Sequence, residues 1–284
     1  MNSYLAAEPQ VDADATFRNF MRHNLGRAAT HFDVEVSAPL SFGWRLRSVG
    51  AAVVGAGSAG WLRVVSEETE WARDNAWTGN LDANAITGVV KPSVLDVFEW
   101  AEGDWRNQRA ELMTKIPGES CSPTDVLRAP VNVLADWWDE LRRTLDTLSA
   151  VSTERTYADQ AHITARIHSR FGDRVDTTVT QWTTAHGDLH WSNLMRPRFG
   201  VLDWELWGRA PAGTDAATLL CYSLPVPGAA ERVRAEFADV LGTPTGRVAQ
   251  LYVIARLLRR IDGGDYPELA TPLGRLARGL LGSG

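Results

Sequence analysis

The chain of 284 residues has only two cysteines, Cys121 and Cys221, far apart in sequence. Such a pair offers neither a zinc-ligand set nor a disulfide framework, and it fits a reducing cytoplasm. Lysine is scarce as well: Lys91 and Lys115 stand alone among 29 basic residues, the rest being arginine. A GC-rich coding bias accounts for the skew, but it matters wherever a phosphate site would want a lysine. Long apolar runs are missing too. Even an uncharged stretch such as Ser48 to Leu62 is broken by Gly50, Gly55, Gly57 and Gly60 and falls short of the roughly 20 residues of a membrane span. The opening residues show no basic stretch leading into an apolar one, so no secretory signal is expected. Nor is there an excess of positive charge. With 35 acidic against 29 basic side chains the net charge is −6, a poor match for a nucleic-acid backbone or an anionic membrane, and neither partner is expected.

What is present reads as a folded protein. Hydrophobic residues make up 44% of the chain and 12 are tryptophan, which excludes disorder over most of it. Phe17, Phe20, Met21 and Leu25 recur at helical spacing, with Asp12 or Asp14 as caps and Gly26 as a stop. From about Phe42 to Lys115 short strand-like runs follow: Trp44 to Arg47, Ala51 to Val54, Trp61 to Val65, Val94 to Phe98 and Ala110 to Met113. Beyond Ser120 the chain reads helical, opening on the start signal Ser122-Pro123-Thr124-Asp125, with Val131, Leu134, Trp138, Leu141, Leu145 and Leu148 on one apolar face. Further helices are predicted over 154–171, 215–223, 229–241, 246–261 and 267–280. A strand-rich island, Trp182 to His186, Asn193 to Met195 and Gly200 to Trp204, interrupts them and is expected to pair within itself around an Arg196 to Phe199 turn.

Two segments invite a motif reading. Gly55-Ala56-Gly57-Ser58-Ala59-Gly60 fits the dinucleotide fingerprint, but the Trp-Leu-Arg-Val-Val that follows is strand-like where the fingerprint needs a helix, so a hairpin turn is expected. His186-Gly187-Asp188-Leu189-His190-Trp191-Ser192-Asn193 matches the kinase catalytic loop, His-x-Asp followed five residues later by Asn, with Gly187 where protein kinases carry arginine. The chemistry explains the spacing. Asp188 would accept or orient the proton of an attacking hydroxyl, and Asn193 would turn its amide oxygen toward a metal on the nucleotide phosphates. Asp203, at the end of the Gly200-Val201-Leu202 strand, would supply the carboxylate that holds Mg²⁺.

With Val201-Leu202-Asp203-Trp204-Glu205 and Gly208 through Pro211 to Asp215, this segment resembles the aminoglycoside phosphotransferase and choline kinase-like family of small-molecule kinases. The resemblance is specific over about residues 183–222. It implies an α+β, protein-kinase-like fold with a small antiparallel β N-lobe (1–117, with the N-terminal helix) and a larger, mainly helical C-lobe (118–284). It also implies ATP or GTP with Mg²⁺, and O-phosphorylation of a small hydroxylated molecule. On that pattern Asp215 braces the catalytic loop, which is compatible with its capping a helix behind Gly213-Thr214. His186 hydrogen-bonds within the loop, and His190 either does the same or titrates.

The N-lobe departs from the pattern, since kinases place a lysine on the third strand. Arg63 in Trp61-Leu62-Arg63-Val64-Val65 has the right rhythm; Lys91, between Gly88 and Pro92, is its rival in a poor strand context. A helical glutamate should pair with Arg63, with Glu70 the first choice and Glu67 the next. Ser48 and Gly50 belong to the expected nucleotide loop, Arg47 to Gly50, and backbone groups from Met113 through Lys115 to Ile116 would meet the base. Tryptophans 191, 204 and 207 flank the site, and Glu205 and Trp207 are expected at the acceptor. Acids on the late helices, Glu231, Glu236, Asp239, Asp262, Asp265 and Glu268, favour an amino-bearing antibiotic as that acceptor unless they merely pair with arginines. A metabolic kinase acting on choline, homoserine or a sugar is the alternative. A catalytically dead kinase-like binding protein, and a hydrolase using His186, Asp188 and His190 as metal ligands, are the readings from other classes.

Overall fold

The computed structural model describes residues 9–37, 39–55, 58–73 and 75–282. Two compact units divide it, one made of Met1–Asn84 with Pro92–Lys115, the other of Ala85–Lys91 with Ile116–Gly284.

The first unit runs α1 (Pro9–His31), β1 (Glu35–Val36), β2 (Ser41–Phe42), β3 (Ser48–Gly55), β4 (Ser58–Glu68), α2 (Asn75–Asp82), β5 (Val94–Glu102) and β6 (Arg106–Thr114). Its antiparallel sheet has the order β1-β3-β4-β6-β5, with β2 also paired to β3. Alternation along β3 sends Val49, Ala51 and Val53 to one face, where they pack with Leu62 and Val64 of β4 and with Met21, Leu25 and Ala28 of α1. The β3–β4 hairpin sets Gly55 against Ser58, so strand follows strand and the dinucleotide reading fails; Ala56 and Gly57 lie outside the described residues. Two expectations change here. Helix α1 continues through Gly26 to His31, placing Asp14 inside it instead of at its cap. Trp44–Leu46 is a 3-10 turn, with Arg45 and Leu46 at positive φ, in place of a strand.

The second unit contains β7 (Glu119–Ser120), α3 (Ala135–Ser149), α4 (Gln160–Phe171), β8 (Trp182–Ala185), β9 (Met195–Arg196), β10 (Gly208–Pro211), α5 (Thr214–Ser223), α6 (Pro227–Glu236), α7 (Ala238–Leu241), α8 (Pro244–Asp262) and α9 (Ala270–Gly282). Every residue of α5 is buried, and α8 packs against it with Leu251, Val253, Ile254 and Leu257 inward. The strand island pairs differently from expectation: β8 takes β10 as its partner and β9 takes β7, while Leu194 and Val201 form a single bridge. Residues 186–207 are thereby an excursion between two paired strands, which lets them carry polar groups without breaking a ladder. Ser122 to Asp125 starts no helix; α3 begins at Ala135. Helix α4 begins at Gln160, where the Asp159 side chain accepts the His162 N–H at 2.7 Å. Among the described residues no helix is long and apolar enough to cross a membrane.

Candidate active site

The segment after β8 is held from behind. Asp215, in the first turn of α5, accepts the N–H of His186 through one oxygen at 2.7 Å and that of Gly187 through the other at 2.9 Å. Burial pushes its carboxyl up to about 6, against the pull of those two donors. Gly187 has φ 86°, and a Cβ there would lie 2.8 Å from both the Leu206 carbonyl and the Tyr157 ring, so no larger residue fits. His186 is fully buried; its Nε2 meets the Leu202 carbonyl at 2.9 Å, which makes that nitrogen the donor, and the Asp188 N–H donates to Nδ1 at 3.3 Å. Burial pulls its imidazole down to about 4, so at neutral pH it is an uncharged strut.

Asp188 follows. Its Oδ2 lies 3.4 Å from His190 Nε2 and its Oδ1 3.6 Å from Arg256 Nη2. Burial pushes this carboxyl up, but His190, then Arg256 and His186, outweigh it and hold the group well below the usual carboxylate range. His190 is shifted the other way: burial lowers it, yet Asp188, Asp125 and Asp203 together raise it.

Asn193 Nδ2 donates to the Asp188 carbonyl at 3.1 Å, directing Oδ1 away from it. The Leu202 N–H donates to the Asn193 carbonyl at 2.8 Å, so Asp203 comes next in chain to a residue bonded to Asn193. Asp203 itself sits at φ 60°, a conformation that a short polar side chain tolerates and that is kept where the carboxylate has a use. Two hard oxygen donors from neighbouring segments suit a Mg²⁺ ion, which takes one or two protein ligands and fills the rest of its octahedron with phosphate and water. Among the described residues no group of three or more His, Cys, Asp or Glu is arranged to hold a metal, so the hydrolase reading loses its ligand set.

In the first unit Arg63 lies opposite Glu111 in register, with Nη1 3.7 Å from Oε2. Glu111 is buried; it accepts Asn80 Nδ2 of α2 at 2.8 Å and Arg109 Nε at 3.0 Å. The expected partner, Glu70, is exposed in the turn after β4, and Glu67 pairs with Arg47 at 2.6 Å. Helix α2 contains no glutamate; the carboxylate beside Arg63 comes from β6, and α2 gives it Asn80 as a donor. Lys91 sits in an irregular segment before β5, half-buried, and burial lowers its pKa. Ser48 and Gly50 lie within β3, not in a loop; Gly50 is small because the Trp61 indole covers it, 2.8 Å from where its Cβ would stand. Met113 is buried on β6, and Lys115 is exposed just beyond it.

The acceptor expectations also change. Trp207 is buried, with the Arg155 guanidinium 4.8 Å over its ring, and Glu205 is buried as well. Arg155 donates to the carbonyls of both residues at 3.1 Å. Trp191 and Trp204 are core, their indole N–H groups bonded to Ser223 and the Val201 carbonyl. Most of the late-helix acids pair with arginine: Glu236 with Arg232, Asp239 with Arg142, Asp262 with Arg170, Asp265 with Arg260 and Glu268 with Arg128. Residues the sequence reading missed contact the loop that carries Asp188. Asp125 accepts the Ser192 hydroxyl at 2.9 Å and the Tyr266 hydroxyl, and lies 3.6 Å from His190. Arg256 comes from α8.

A family model described as the phosphotransferase enzyme family, APH, matches residues 63–252. Solved structures agree with the fold. A thermostable mutant of aminoglycoside phosphotransferase APH(4)-Ia, in ternary complex with AMP-PNP and hygromycin B, aligns with TM-score 0.62 and 14% identity over 92% of this chain and 98% of that one. An amicoumacin kinase in complex with AMP-PNP, Ca²⁺ and Ami gives 0.56 and 13% over 91% and 92%. A Plasmodium vivax ethanolamine kinase gives 0.53 and 11% over 98% and 95%. No curated protein sequence matches the chain.

Proposed function

This chain belongs to the APH family of phosphotransferase enzymes, and we propose that it moves the γ-phosphate of ATP or GTP, with Mg²⁺, onto a hydroxyl of a small amino-bearing alcohol. The observation that carries the reading is Asp188, with the His190 imidazole 3.4 Å from one oxygen and the Arg256 guanidinium 3.6 Å from the other, on a loop clamped by Asp215. Flanked in this way, the carboxylate stays ionised and is suited to orient the attacking hydroxyl and to take its proton late. That order fits a loose phosphoryl-transfer transition state, in which the bond to the leaving group is largely broken before the new one forms. The acceptor oxygen bonds phosphorus as the bond to the β-phosphate oxygen breaks; the nucleoside diphosphate leaves, and the proton passes to Asp188 and then to water. Asn193 and Asp203 would hold the metal, which when bound supplies charge to the phosphate oxygens. In the first unit Arg63, oriented by Glu111, is the base for the phosphates. Asp215 and His186 keep the loop in place.

For the acceptor, the support is Asp125, whose carboxylate lies by His190 and Tyr266 and gives an ammonium group a partner near the reacting hydroxyl. Five of the six late-helix acids, all but Glu231, lie against arginines and lend this reading little support. An antibiotic acceptor is favoured by likeness to the aminoglycoside and amicoumacin enzymes; a metabolic alcohol is favoured by the ethanolamine kinase, whose match spans 98% of the chain. A panel of hygromycin B, other aminoglycosides, ethanolamine, choline, homoserine and neutral sugars, assayed with ATP and GTP, tests this. Turnover of amino-bearing members supports the reading. Turnover of neutral or anionic alcohols alone gives the case to a metabolic kinase, and binding of nucleotide without turnover to a kinase-like binding protein.

A further inference from the structure

We propose that Arg256 is a positioning residue for Asp188, holding its carboxylate in the orientation that meets the acceptor hydroxyl; this rests on the phosphotransferase reading. Arg256 projects from a helix whose neighbouring residues Val253, Ile254, Ala255, Leu257 and Leu258 are all buried, so its origin is fixed by core packing. One end of the guanidinium grips the loop: Nη1 donates to the Gly187 carbonyl at 3.0 Å and to the Tyr157 hydroxyl. The other end faces the carboxylate, with Nη2 3.6 Å from Asp188 Oδ1. Nε and Nη2 are buried with no hydrogen-bond partner among the described residues.

A buried cation needs a counter-charge, and the carboxylate it faces is Asp188. At 3.6 Å the pair attracts without forming a hydrogen bond. Oδ1 is therefore restrained while its lone pairs stay available to a hydroxyl. His190 Nε2 stands on the other side, 3.4 Å from Oδ2. The loop cannot supply this guanidinium itself. Gly187, where protein kinases carry arginine, is closed against any side chain by the Tyr157 ring and the Leu206 carbonyl. The same Tyr157 that closes that position receives the hydrogen bond of Arg256. One aromatic side chain thus excludes a cation from within the loop and seats one arriving from α8.

Arg256→Met and Arg256→Lys test this, with Mg-ATP as donor and hygromycin B, ethanolamine or water as acceptor, reading kcat, both Michaelis constants and melting temperature. Misplacing a reacting group by about an ångström costs on the order of 10²-fold, so Arg256→Met should lower kcat about 10- to 100-fold with the nucleotide KM within about twofold of wild type. Arg256→Lys keeps the charge but not the fork, and should recover at least about fivefold over the methionine variant while staying below wild type. The inference is overturned if kcat in Arg256→Met stays within about threefold of wild type, if the nucleotide KM rises in parallel, or if lysine does no better than methionine. If Arg256→Met does not fold, Arg256→Lys alone decides: kcat equal to wild type overturns the proposal, and a lowered kcat at unchanged nucleotide KM supports it. Absence of turnover in the wild type with every acceptor overturns the phosphotransferase reading itself. Active wild type with unaffected variants overturns only the role of Arg256.

Discussion

The Asp215 carboxylate accepts the backbone N–H of His186 at 2.7 Å, tying the first turn of α5 to the loop that carries Asp188. Its second oxygen does the same for Gly187. Asp215→Ala leaves two buried N–H groups unpaired, at roughly 1–3 kcal/mol each. The variant should melt several degrees lower and lose turnover while still binding nucleotide. Thermal denaturation with a turnover assay checks this; unchanged melting and activity would mean that the brace is dispensable.

In the first unit, Arg63→Ala should weaken nucleotide binding about 10- to 100-fold, the worth of a charge-assisted contact to phosphate. Glu111→Gln should produce part of that loss, because it removes the carboxylate 3.7 Å from the guanidinium. Lys91→Ala and Glu70→Ala should stay near wild type. Nucleotide titration of the four variants checks the ordering, and a larger effect at Lys91 than at Arg63 would reassign the phosphate base.

Asp203→Ala should disturb Mg-nucleotide affinity more than Asn193→Ala, because a carboxylate brings charge as well as an oxygen donor. Calorimetry at fixed nucleotide and varied Mg²⁺ separates the two. Equal, wild-type Mg²⁺ dependence in both variants would remove the metal assignment.

His186 gives a pH signature. Burial pulls its folded-state pKa to about 4 from the ordinary value of 6.5, so between those values the unfolded chain binds a proton that the folded chain does not. Its contribution is fully present above about pH 6.5 and is lost as pH falls toward about 4, to the extent of a few kcal/mol. Asp215, with its pKa raised, acts with the opposite sign over part of that range, so the comparison must be between variants. His186→Gln should melt with a shallower acid loss than wild type between about pH 6.5 and 4; parallel profiles would show that His186 titrates normally in the fold.

Much of this arrangement was legible in the sequence because the chemistry constrains spacing locally. His186, Asp188, Asn193 and Asp203 all lie on the one excursion between β8 and β10, so a linear pattern reaches them. The strands Ala51 to Val54, Trp61 to Val65 and Ala110 to Met113 were visible through alternation. Other features were set by contacts distant in sequence. Glu111 reaches Arg63 only through β4–β6 register, although the alternating Arg109 and Glu111 on a strand hinted at a buried ion cluster. Asp125 read as a helix start because Ser-Pro-Thr-Asp is also a capping pattern, whereas the chain there stays irregular and lends the carboxylate to His190 and Tyr266. Arg256 carries no local signal: on a helix rich in arginine, only packing sets this one against Asp188. Trp207 and Glu205 are close to Asp203 in sequence, and the structure buries both, with Arg155 bonded to their carbonyls.

The central claim, that Asp188 acts on the acceptor hydroxyl and not on the nucleotide, is tested most directly by Asp188→Asn, with turnover and Mg-nucleotide affinity measured on the same preparation. Loss of a general base costs at least about 10²-fold, so kcat should fall by that much or more while the calorimetric Kd for Mg-nucleotide stays within about threefold of wild type. Turnover near the wild-type rate, or a loss of nucleotide affinity that matches the loss of turnover, would contradict it.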